Sequence, residues 1–246
     1  MMDKTTDRRV IENILQNDKI ATLNAAKMME NEENWEILVD DISNPKGFIL
    51  RCGEWNIPYS LNDKIALKML NSMEFRKTEG FSGVLKKYYD MIKESKKIEW
   101  EEPCYLFYMN KEDLDTSKLQ HEVKSLRLED VEIVNEFYTY KDEESFEYIK
   151  QCIIQRETSA IFDDKGSPIS WALVREDGTM GIMYTKKEYR GRGLAASVSI
   201  DLAKKVINNN GTPFVHIVTN NDASISLAKS IGFKKYCEVM WFGVSK

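Results

Sequence analysis

A short turn rich in glycine and arginine lies over residues 189–196, between a predicted strand and a predicted helix. It has the sequence Tyr-Arg-Gly-Arg-Gly-Leu-Ala-Ala. Residues 179–185 before it have the composition of a strand, and apolar residues after it recur every four positions from Leu194 to Val206. That spacing is typical of one apolar face of a helix. The chain is therefore restricted to folds in which a strand, a tight cationic turn and a helix follow one another.

The start of such a helix is suited to bind an anion. Its first backbone N–H groups have no partner within the helix, and they lie at the positive end of the helix dipole. Gly191 and Gly193 have no Cβ atom and allow a phosphate to approach the backbone, while Arg190 and Arg192 add positive charge. A packing corner with solvated arginines is the alternative, and the turn alone does not exclude it.

Two common phosphate-binding motifs do not fit these residues. A P-loop ends in Gly-Lys followed by Ser or Thr, whereas Gly193 is followed by Leu194 and Ala195. A dinucleotide-binding fingerprint needs Gly-x-Gly-x-x-Gly after the first strand, with an acidic residue about twenty positions later. The sequence around the turn has neither feature, so both classes are excluded.

The turn resembles the acetyl-CoA loop of the GNAT superfamily of N-acetyltransferases, whose signature is Arg/Gln-x-x-Gly-x-Gly/Ala. Arg190, Gly193 and Ala195 match this signature in order. Residues 221–233 resemble a second element, Asn-x-x-Ala/Ser-x-x-Leu-Tyr-x-x-x-Gly-Phe, and residues 123–131 are similar to the first strand and helix of that fold. The three matches follow the order of the GNAT fold along the C-terminal half of the chain.

Within this superfamily the chain is most similar to the glycine N-acyltransferase-like (FR47-like) branch. The similarity rests on residues 166–171, on residues 188–190 and on a histidine before Asn221. It implies transfer of an acetyl or short acyl group from acetyl-CoA to a primary amine of a small molecule, by direct attack in a ternary complex. The alternative is a catalytically lapsed acyl-CoA-binding or regulatory protein.

The same resemblance implies which residues bind the coenzyme. The pantetheine arm would lie along Met183, Tyr184 and Thr185, where a backbone N–H would polarise the acyl carbonyl. Asn221 would hold amides of that arm, and Ser224 would either contact the arm or cap the following helix. The diphosphate would lie on the turn and the first turn of the helix, which comprise Arg190, Gly191, Arg192, Gly193, Leu194, Ala195 and Ala196.

Two residues are candidates for proton transfer. His216 is the predicted general base, because relatives commonly carry a glutamate or histidine near this position before Asn221, and imidazole titrates near neutral pH. A histidine with only a structural role in the core is the alternative. The superfamily's usual tyrosine acid, one position after Leu227, is Ala228 here. Tyr236 is the predicted substitute unless it is a core aromatic, and a thiol with a pKa of about 8.5 could also leave without a donor.

Composition and charge exclude several classes of partner. The formal net charge of −5 provides no global basic field, so we expect no nucleic-acid partner. The four cysteines lack the paired spacing of zinc ligands, so neither a metal site nor a disulfide framework is indicated. No apolar run approaches the length of a membrane span, and the first residues are charged. We expect a cytoplasmic protein, monomeric or homodimeric, with no membrane partner.

The pattern along the chain predicts the α/β (α+β) class, with a mixed, mostly antiparallel central sheet flanked by helices. Residues 1–122 are predicted to form an N-terminal α+β lobe that includes a polar linker over 110–122, and residues 123–246 a GNAT domain. The resemblance implies that the first lobe is a divergent GNAT-like copy of the second, and an unrelated cap is the alternative. Among the elements, a helix is predicted over residues 1–30 and a strand over residues 123–128.

Overall fold

The computed structural model describes residues 2–75 and 78–245, and for Thr78 it describes the backbone only. Met1 and Lys246, the outer ends of the two predicted domains, lie outside these residues. The chain divides into two compact units. Unit 1 comprises Met1–Leu106, His216–Asn220 and Tyr236–Lys246, and unit 2 comprises Phe107–Val215 and Asn221–Lys235. The single boundary after residue 122 stays a prediction.

The described residues form helices and strands in both halves of the chain. The α-helices are α1 (Glu12–Asn17), α2 (Leu23–Asn31), α3 (Asp63–Ser72), α4 (Lys86–Lys93), α5 (Val131–Glu136), α6 (Ser145–Gln155), α7 (Leu194–Asn208) and α8 (Asp222–Ser230). The strands are β1 (Asp3–Thr5), β2 (Trp35–Val39), β3 (Gly47–Cys52), β4 (Trp55–Ser60), β5 (Thr78–Leu85), β6 (Lys97–Tyr108), β7 (Thr158–Phe162), β8 (Pro168–Val174), β9 (Met180–Thr185), β10 (Phe214–Val218) and β11 (Lys234–Ser245). This is the predicted mixed α/β class.

The strands of the described chain form two sheets. The larger has the order β1, β2, β3, β4, β5, β11, β6, β10, and the smaller has the order β7, β8, β9. Most of the registered pairings are antiparallel, as predicted. Strands β4 and β5 are parallel, and within the described residues they pair only at Trp55 with Gly80 and at Asn56 with Phe81. The two strands therefore separate toward the end of β4.

Each unit has its own apolar core. In unit 1 the rings of Phe81 and Phe242 stack with centroids 4.5 Å apart, and Tyr89 meets Phe242 edge-on at 5.1 Å. In unit 2 Trp171 of β8 packs with Val134 of α5 and other buried residues of the sheet and helices. Burial of each such large side chain contributes about 1.5–3 kcal/mol to folding. The last strand, β11, supplies Phe242, so the core of unit 1 depends on residues from both ends of the chain.

The order of elements repeats in the two halves of the chain. The first half runs β1, α1, α2, β2, β3, β4, α3, β5, α4, β6. The second half runs from an isolated bridge at Lys124 through α5, α6, β7, β8, β9, α7, β10, α8 and β11. Both series therefore read strand or bridge, two helices, three strands, helix, strand, helix, strand. This repetition favours the divergent copy over the unrelated cap.

Two predicted elements are wrong in detail. Residues 123–128 form one bridge, between Lys124 and Ala160, instead of a strand. The ladder ends there because the N–H of Leu126 donates to the side-chain oxygen of Thr158 (2.8 Å) instead of to a strand carbonyl. The helix predicted over residues 1–30 is divided into β1, α1 and α2, because β1 pairs with β2 and so cannot be helical.

Strand β4 lies where the sequence pattern predicts no element, and it contains Pro58, which cannot donate a backbone hydrogen bond. Pro58 lies beyond the two residues at which β4 pairs with β5, so its missing N–H costs no hydrogen bond in that pairing. On the other side, β4 follows the full length of β3. The proline is therefore accommodated by the separation of β4 from β5.

Candidate anion-binding turn and associated residues

The turn between β9 and α7, in unit 2, is built on two glycines. Gly191 and Gly193 have φ values of 75° and 76°, in the left-handed region that favours glycine. Gly193 is the N-cap residue of α7, and no side chain of the described chain caps this helix. The first-turn N–H groups, at Leu194, Ala195 and Ala196, have no carbonyl partner within the helix. The predicted diphosphate residues thus form an uncapped helix start with its backbone donors available.

The two arginines of the turn fold back onto the turn itself. The Arg190 Nε–H donates to the carbonyl oxygen of Thr185 (3.0 Å), and its guanidinium lies over the ring of Tyr184, 5.5 Å from the centroid. Arg192 Nη2 donates to the carbonyl oxygen of Glu188 (3.1 Å). Both side chains stay exposed, and neither is paired with a carboxylate within the part of the chain that the structure describes. They hold the turn in shape and leave its positive charge uncompensated.

Strand β9, which leads into the turn, is an edge strand with a bulge. Within the described residues it pairs only with β8, and the register shifts between Trp171 and Leu173 of that partner. Opposite the shift, Ile182 has φ 47°, an uncommon conformation for a β-branched residue. An edge strand leaves backbone N–H and C=O groups without strand partners, and a bulge redirects them. Backbone donors close to Met183 can therefore meet a ligand.

The side chains on β9 have mostly structural contacts. Tyr184 stacks on Phe137 (4.8 Å between centroids) and lies 5.5 Å from Trp171. The hydroxyl of Thr185 lies 2.8 Å from that of Ser170. Met183 is 38% exposed, and it is the residue of this strand whose side chain remains most accessible. The predicted role of this strand in binding therefore rests on its backbone.

The equivalent turn in unit 1, between β4 and α3, is closed by its own side chain. The side-chain oxygen of Asn62 accepts hydrogen bonds from the N–H groups of Lys64 (2.9 Å) and Ile65 (3.4 Å). Asp63 adds a negative charge in the first turn of α3 and pairs with Lys87 at 2.6 Å. The helix start that would bind an anion is thus already occupied. Of the two equivalent turns, the one after β9 is left open.

Asn221 and Ser224 lie at the start of α8, also in unit 2. The side-chain oxygen of Asn221 accepts a hydrogen bond from the N–H of Ser224 (3.1 Å), so the cap is Asn221 and not Ser224. The amide nitrogen of Asn221 remains at the exposed end of that side chain. Its predicted contact with the pantetheine arm is compatible with this capping role.

His216 belongs to unit 1, where it contacts Trp241. The indole Nε1–H of Trp241 donates to Nδ1 of His216 (3.1 Å), and the rings are 5.9 Å apart at 68°. Because an indole nitrogen only donates, Nδ1 is the acceptor and Nε2 carries the hydrogen of the neutral ring. The imidazole also packs against Gly83, where a Cβ atom would overlap with it. The structure thus assigns a definite tautomer to the predicted base.

Tyr236, the predicted acid, also belongs to unit 1. Its hydroxyl donates to a carboxylate oxygen of Asp18 (2.7 Å), and its side chain is 42% exposed. Desolvation by burial and then the bond to Asp18 raise the pKa of Tyr236 well above its usual value. The hydroxyl therefore keeps its proton at neutral pH. It lies at the surface of unit 1 and is not the core aromatic of the alternative.

His121 lies in the predicted linker over residues 110–122, and in the structure it contacts the turn. Its Nε2 atom lies 2.8 Å from the carbonyl oxygen of Arg192, 71 positions away in sequence. The only sequence signal was that the chain has two histidines. Contacts over such a distance in sequence have no local pattern.

The described residues contain no metal cluster, no membrane-spanning helix and no disulfide. Over 2–75 and 78–245, no cluster of three or more histidine, cysteine, aspartate or glutamate side chains is arranged to hold a metal ion. In the same residues, no helix combines the length and apolar character needed to cross a bilayer. Cys52, Cys104, Cys152 and Cys237, all within the described chain, form no disulfide.

Part of the chain matches a known protein family. Residues 160–242 match the family described as FR47-like protein. Human glycine N-acyltransferase-like protein 2 is 26% identical over 110 residues, which are 44% of this chain and 37% of that protein. The chain thus matches about a third of the length of such curated relatives.

Solved structures share the fold over the whole chain. A Drosophila protein has a TM-score of 0.83 at 14% identity, and the alignment covers 100% of this chain and 98% of that one. A tandem GNAT protein from the clavulanic acid biosynthesis pathway has a TM-score of 0.61 at 10% identity, with coverage of 100% and 98%. At these identities the likeness concerns the fold alone. It agrees with the repeated element order of the two halves.

Proposed function

Because residues 160–242 match the FR47-like family and the chain is similar to glycine N-acyltransferase-like proteins, we propose that this chain is an N-acyltransferase of the GNAT superfamily that uses an acyl-CoA. One observation carries the proposal: α7 begins without a side-chain cap, at two left-handed glycines, in the turn that follows a bulged edge strand. This combination supplies backbone donors for a diphosphate and for an extended thioester arm. The equivalent turn after β4 is closed by Asn62 and has no such capacity.

The proposed binding roles follow from the chemistry of each group. Backbone N–H groups over residues 191–196 and the charges of Arg190 and Arg192 bind the diphosphate. The edge of β9 at Met183, Tyr184 and Thr185 binds the pantetheine arm as an added strand would pair. The carboxamide of Asn221 and the hydroxyl of Ser224 contact amides of the same arm.

The chemical step needs few groups from the protein. A backbone N–H near the bulge at Ile182 polarises the acyl carbonyl, which the neutral amine attacks. Binding both substrates together replaces a bimolecular encounter. The new N–C bond forms as the C–S bond breaks, the electron pair leaves with sulfur, and the amine loses a proton. A thiol with a pKa of about 8.5 is acidic enough that its thiolate leaves readily at neutral pH.

His216 and Tyr236 are the proposed proton carriers. For His216 to accept the proton of the amine, its ring must give up the hydrogen bond from Trp241, because Nε2 already carries a hydrogen. Tyr236 holds its proton and could return one to the leaving sulfur, since its raised pKa keeps it protonated at neutral pH. Each role is a proposal that mutation can separate from coenzyme binding.

We propose acetyl or a short acyl chain as the transferred group, and a small primary amine such as an amino acid as the acceptor. The names of the curated relatives, glycine N-acyltransferase and its like, support a small acceptor. The alternative is a catalytically lapsed acyl-CoA-binding or regulatory protein. Ala228, at the position of the usual tyrosine acid, favours that alternative. The cytoplasmic location and the monomeric or homodimeric state predicted from sequence stay predictions.

The test is thiol release from acetyl-CoA and longer acyl-CoAs in the presence of a panel of amines, including glycine. We expect release above buffer with at least one small amine, and loss of coenzyme binding in Gly193→Asp, because aspartate is strained at this left-handed position and adds a negative charge to the turn. Tight coenzyme binding with no thiol release for any amine would support the lapsed protein. Undiminished calorimetric binding to Gly193→Asp would contradict the turn assignment itself.

A further inference from the structure

A segment of unit 2, residues 116–121, packs against the turn and the start of α7. It begins with a short 3-10 turn at Thr116–Lys118. The hydroxyl of Ser197 accepts a hydrogen bond from the N–H of Gln120 (3.1 Å) and donates to the carbonyl oxygen of Lys118 (3.4 Å). Ser197 is fully buried on α7. The segment that sequence assigned to a linker is thus fixed to the helix that carries the proposed diphosphate site.

The end of this segment brings His121 against the peptide that joins Arg192 to Gly193. The Nε2 atom of His121 lies 2.8 Å from the carbonyl oxygen of Arg192. A carbonyl oxygen only accepts, so Nε2 carries a hydrogen and donates it. The carbonyl of Arg192 therefore points toward the imidazole.

The direction of that carbonyl determines the direction of a backbone donor. In a trans peptide the C=O of one residue and the N–H of the next point to opposite sides of the chain, and the chain contains no cis peptide among the described residues. With its carbonyl turned toward His121, the Arg192–Gly193 peptide directs the N–H of Gly193 to the side away from His121. A rotated peptide would instead present a carbonyl oxygen on that side, and a carbonyl would repel a phosphate.

The peptide needs such a restraint because glycines flank Arg192. Gly191 and Gly193 both have left-handed φ values, and each can adopt many other conformations at little cost. A Cβ atom at Gly193 would have no neighbour closer than 3.6 Å, so no close contact at the Cβ position restrains this residue. Its orientation depends on hydrogen bonds, and His121 supplies the one that the structure records for the Arg192 carbonyl.

We propose that His121 is a positioning residue of the diphosphate site, which orients the Gly193 N–H by binding the Arg192 carbonyl. The inference rests on the proposed function, because it assumes that the ligand of the turn is the diphosphate of coenzyme A. His121 contacts the turn and not the reacting atoms. Orienting a donor before the ligand arrives lowers the entropy lost on binding, so the effect belongs to affinity for the diphosphate.

The test compares His121→Leu with His121→Gln in the full chain. Leucine fills similar space without a donor, whereas the glutamine carboxamide can place an N–H where Nε2 lies. Binding of coenzyme A is measured by calorimetry, and binding of pantetheine, which has no diphosphate, by NMR shift titration. We expect His121→Leu to weaken coenzyme A binding about tenfold, as for loss of one oriented hydrogen bond, with pantetheine unchanged. His121→Gln should restore most of the affinity.

Each outcome decides one of the two proposals. If the unmodified chain does not bind coenzyme A, the proposed function fails before His121 is tested. If it binds and His121→Leu binds equally well, the positioning role is wrong and the proposed function stands. An equal loss for coenzyme A and pantetheine, or no recovery in His121→Gln at an unchanged melting temperature, would show a general structural effect and overturn the positioning role.

Discussion

The hydroxyl group of Tyr88 makes two hydrogen bonds to one residue, Ser60. It accepts from the backbone N–H of Ser60 (2.9 Å) and donates to the carbonyl oxygen of the same residue (3.1 Å). Ser60 is the last residue of β4, beyond the point at which β4 and β5 stop pairing. A ligand bound as an added strand would use the same two backbone groups. In unit 1 a buried side chain of the protein occupies that place.

We predict that Tyr88→Phe lowers the free energy of unfolding by about 1–3 kcal/mol, because it leaves the two buried backbone groups of Ser60 without partners. Burial raises the pKa of Tyr88 from 10.0 to about 12. Because the pKa of Tyr88 is higher in the folded state, its contribution to the free energy of unfolding is fully present below about pH 10. This contribution is lost as the pH rises toward about 12. Denaturant unfolding at a series of pH values checks both effects. The variant should lose less stability than the unmodified chain across this alkaline range.

We predict that one molecule of coenzyme A binds per chain, although the element order repeats. In unit 1 Tyr88 occupies the end of β4 and Asn62 caps α3, so neither part of an equivalent site is open. Calorimetric titration of the full chain gives the stoichiometry directly. Binding of two coenzyme A molecules per chain would contradict this prediction.

Two asparagine caps form a matched pair. Asn62 caps α3 and Asn221 caps α8, each through its side-chain oxygen. Replacing either by alanine should lower the free energy of unfolding by about 1 kcal/mol, the usual value of such a cap. Only Asn221→Ala should also weaken coenzyme A binding, because only its carboxamide is proposed to contact the pantetheine arm. If the two variants bind coenzyme A equally well, Asn221 only caps α8 and does not contact the pantetheine arm.

Gly191 and Gly166 form a second pair. Their φ values are 75° and 78°, and an added Cβ atom would meet nothing within 4 Å at either position. Alanine at each should cost about 1–2 kcal/mol of backbone strain. Gly191→Ala should lower coenzyme A affinity about tenfold or more, because relief of that strain shifts the binding turn. Gly166→Ala, in the turn between β7 and β8, is the control and should bind normally.

The hydrogen bond from Trp241 to His216 leads to a prediction about pH dependence. Protonation of Nδ1 breaks this bond, so Trp241 stabilises the neutral ring. If His216 is the general base, Trp241→Phe should move the acid limb of kcat/KM to higher pH, because the ring then takes up a proton more easily. His216→Ala should lower turnover by about 10²–10⁴-fold. If the acid limb of Trp241→Phe lies at the same pH as that of the unmodified chain, His216 is not the general base.

Much of the proposed site could be predicted from local sequence. Glycine permits left-handed φ values at 191 and 193 wherever the chain goes, and the spacing of apolar residues after Leu194 specifies a helix. The bulge at Ile182 had no such signal. Isoleucine favours extended strands, and its positive φ arises where β9 must match the register of β8.

The sequence by itself determined the class of elements, the open turn before α7 and the donors that the turn can offer, because these depend on residues close together in the chain. Tertiary structure decided that β11 pairs with β5, that Tyr88 closes the end of β4 and that His121 orients the peptide after Arg192. The contacts of Tyr88 and His121 span 28 and 71 positions. Such contacts form only when the free energy gained by packing exceeds the entropy cost of closing the intervening loop. No local sequence pattern specifies which of these two terms is larger.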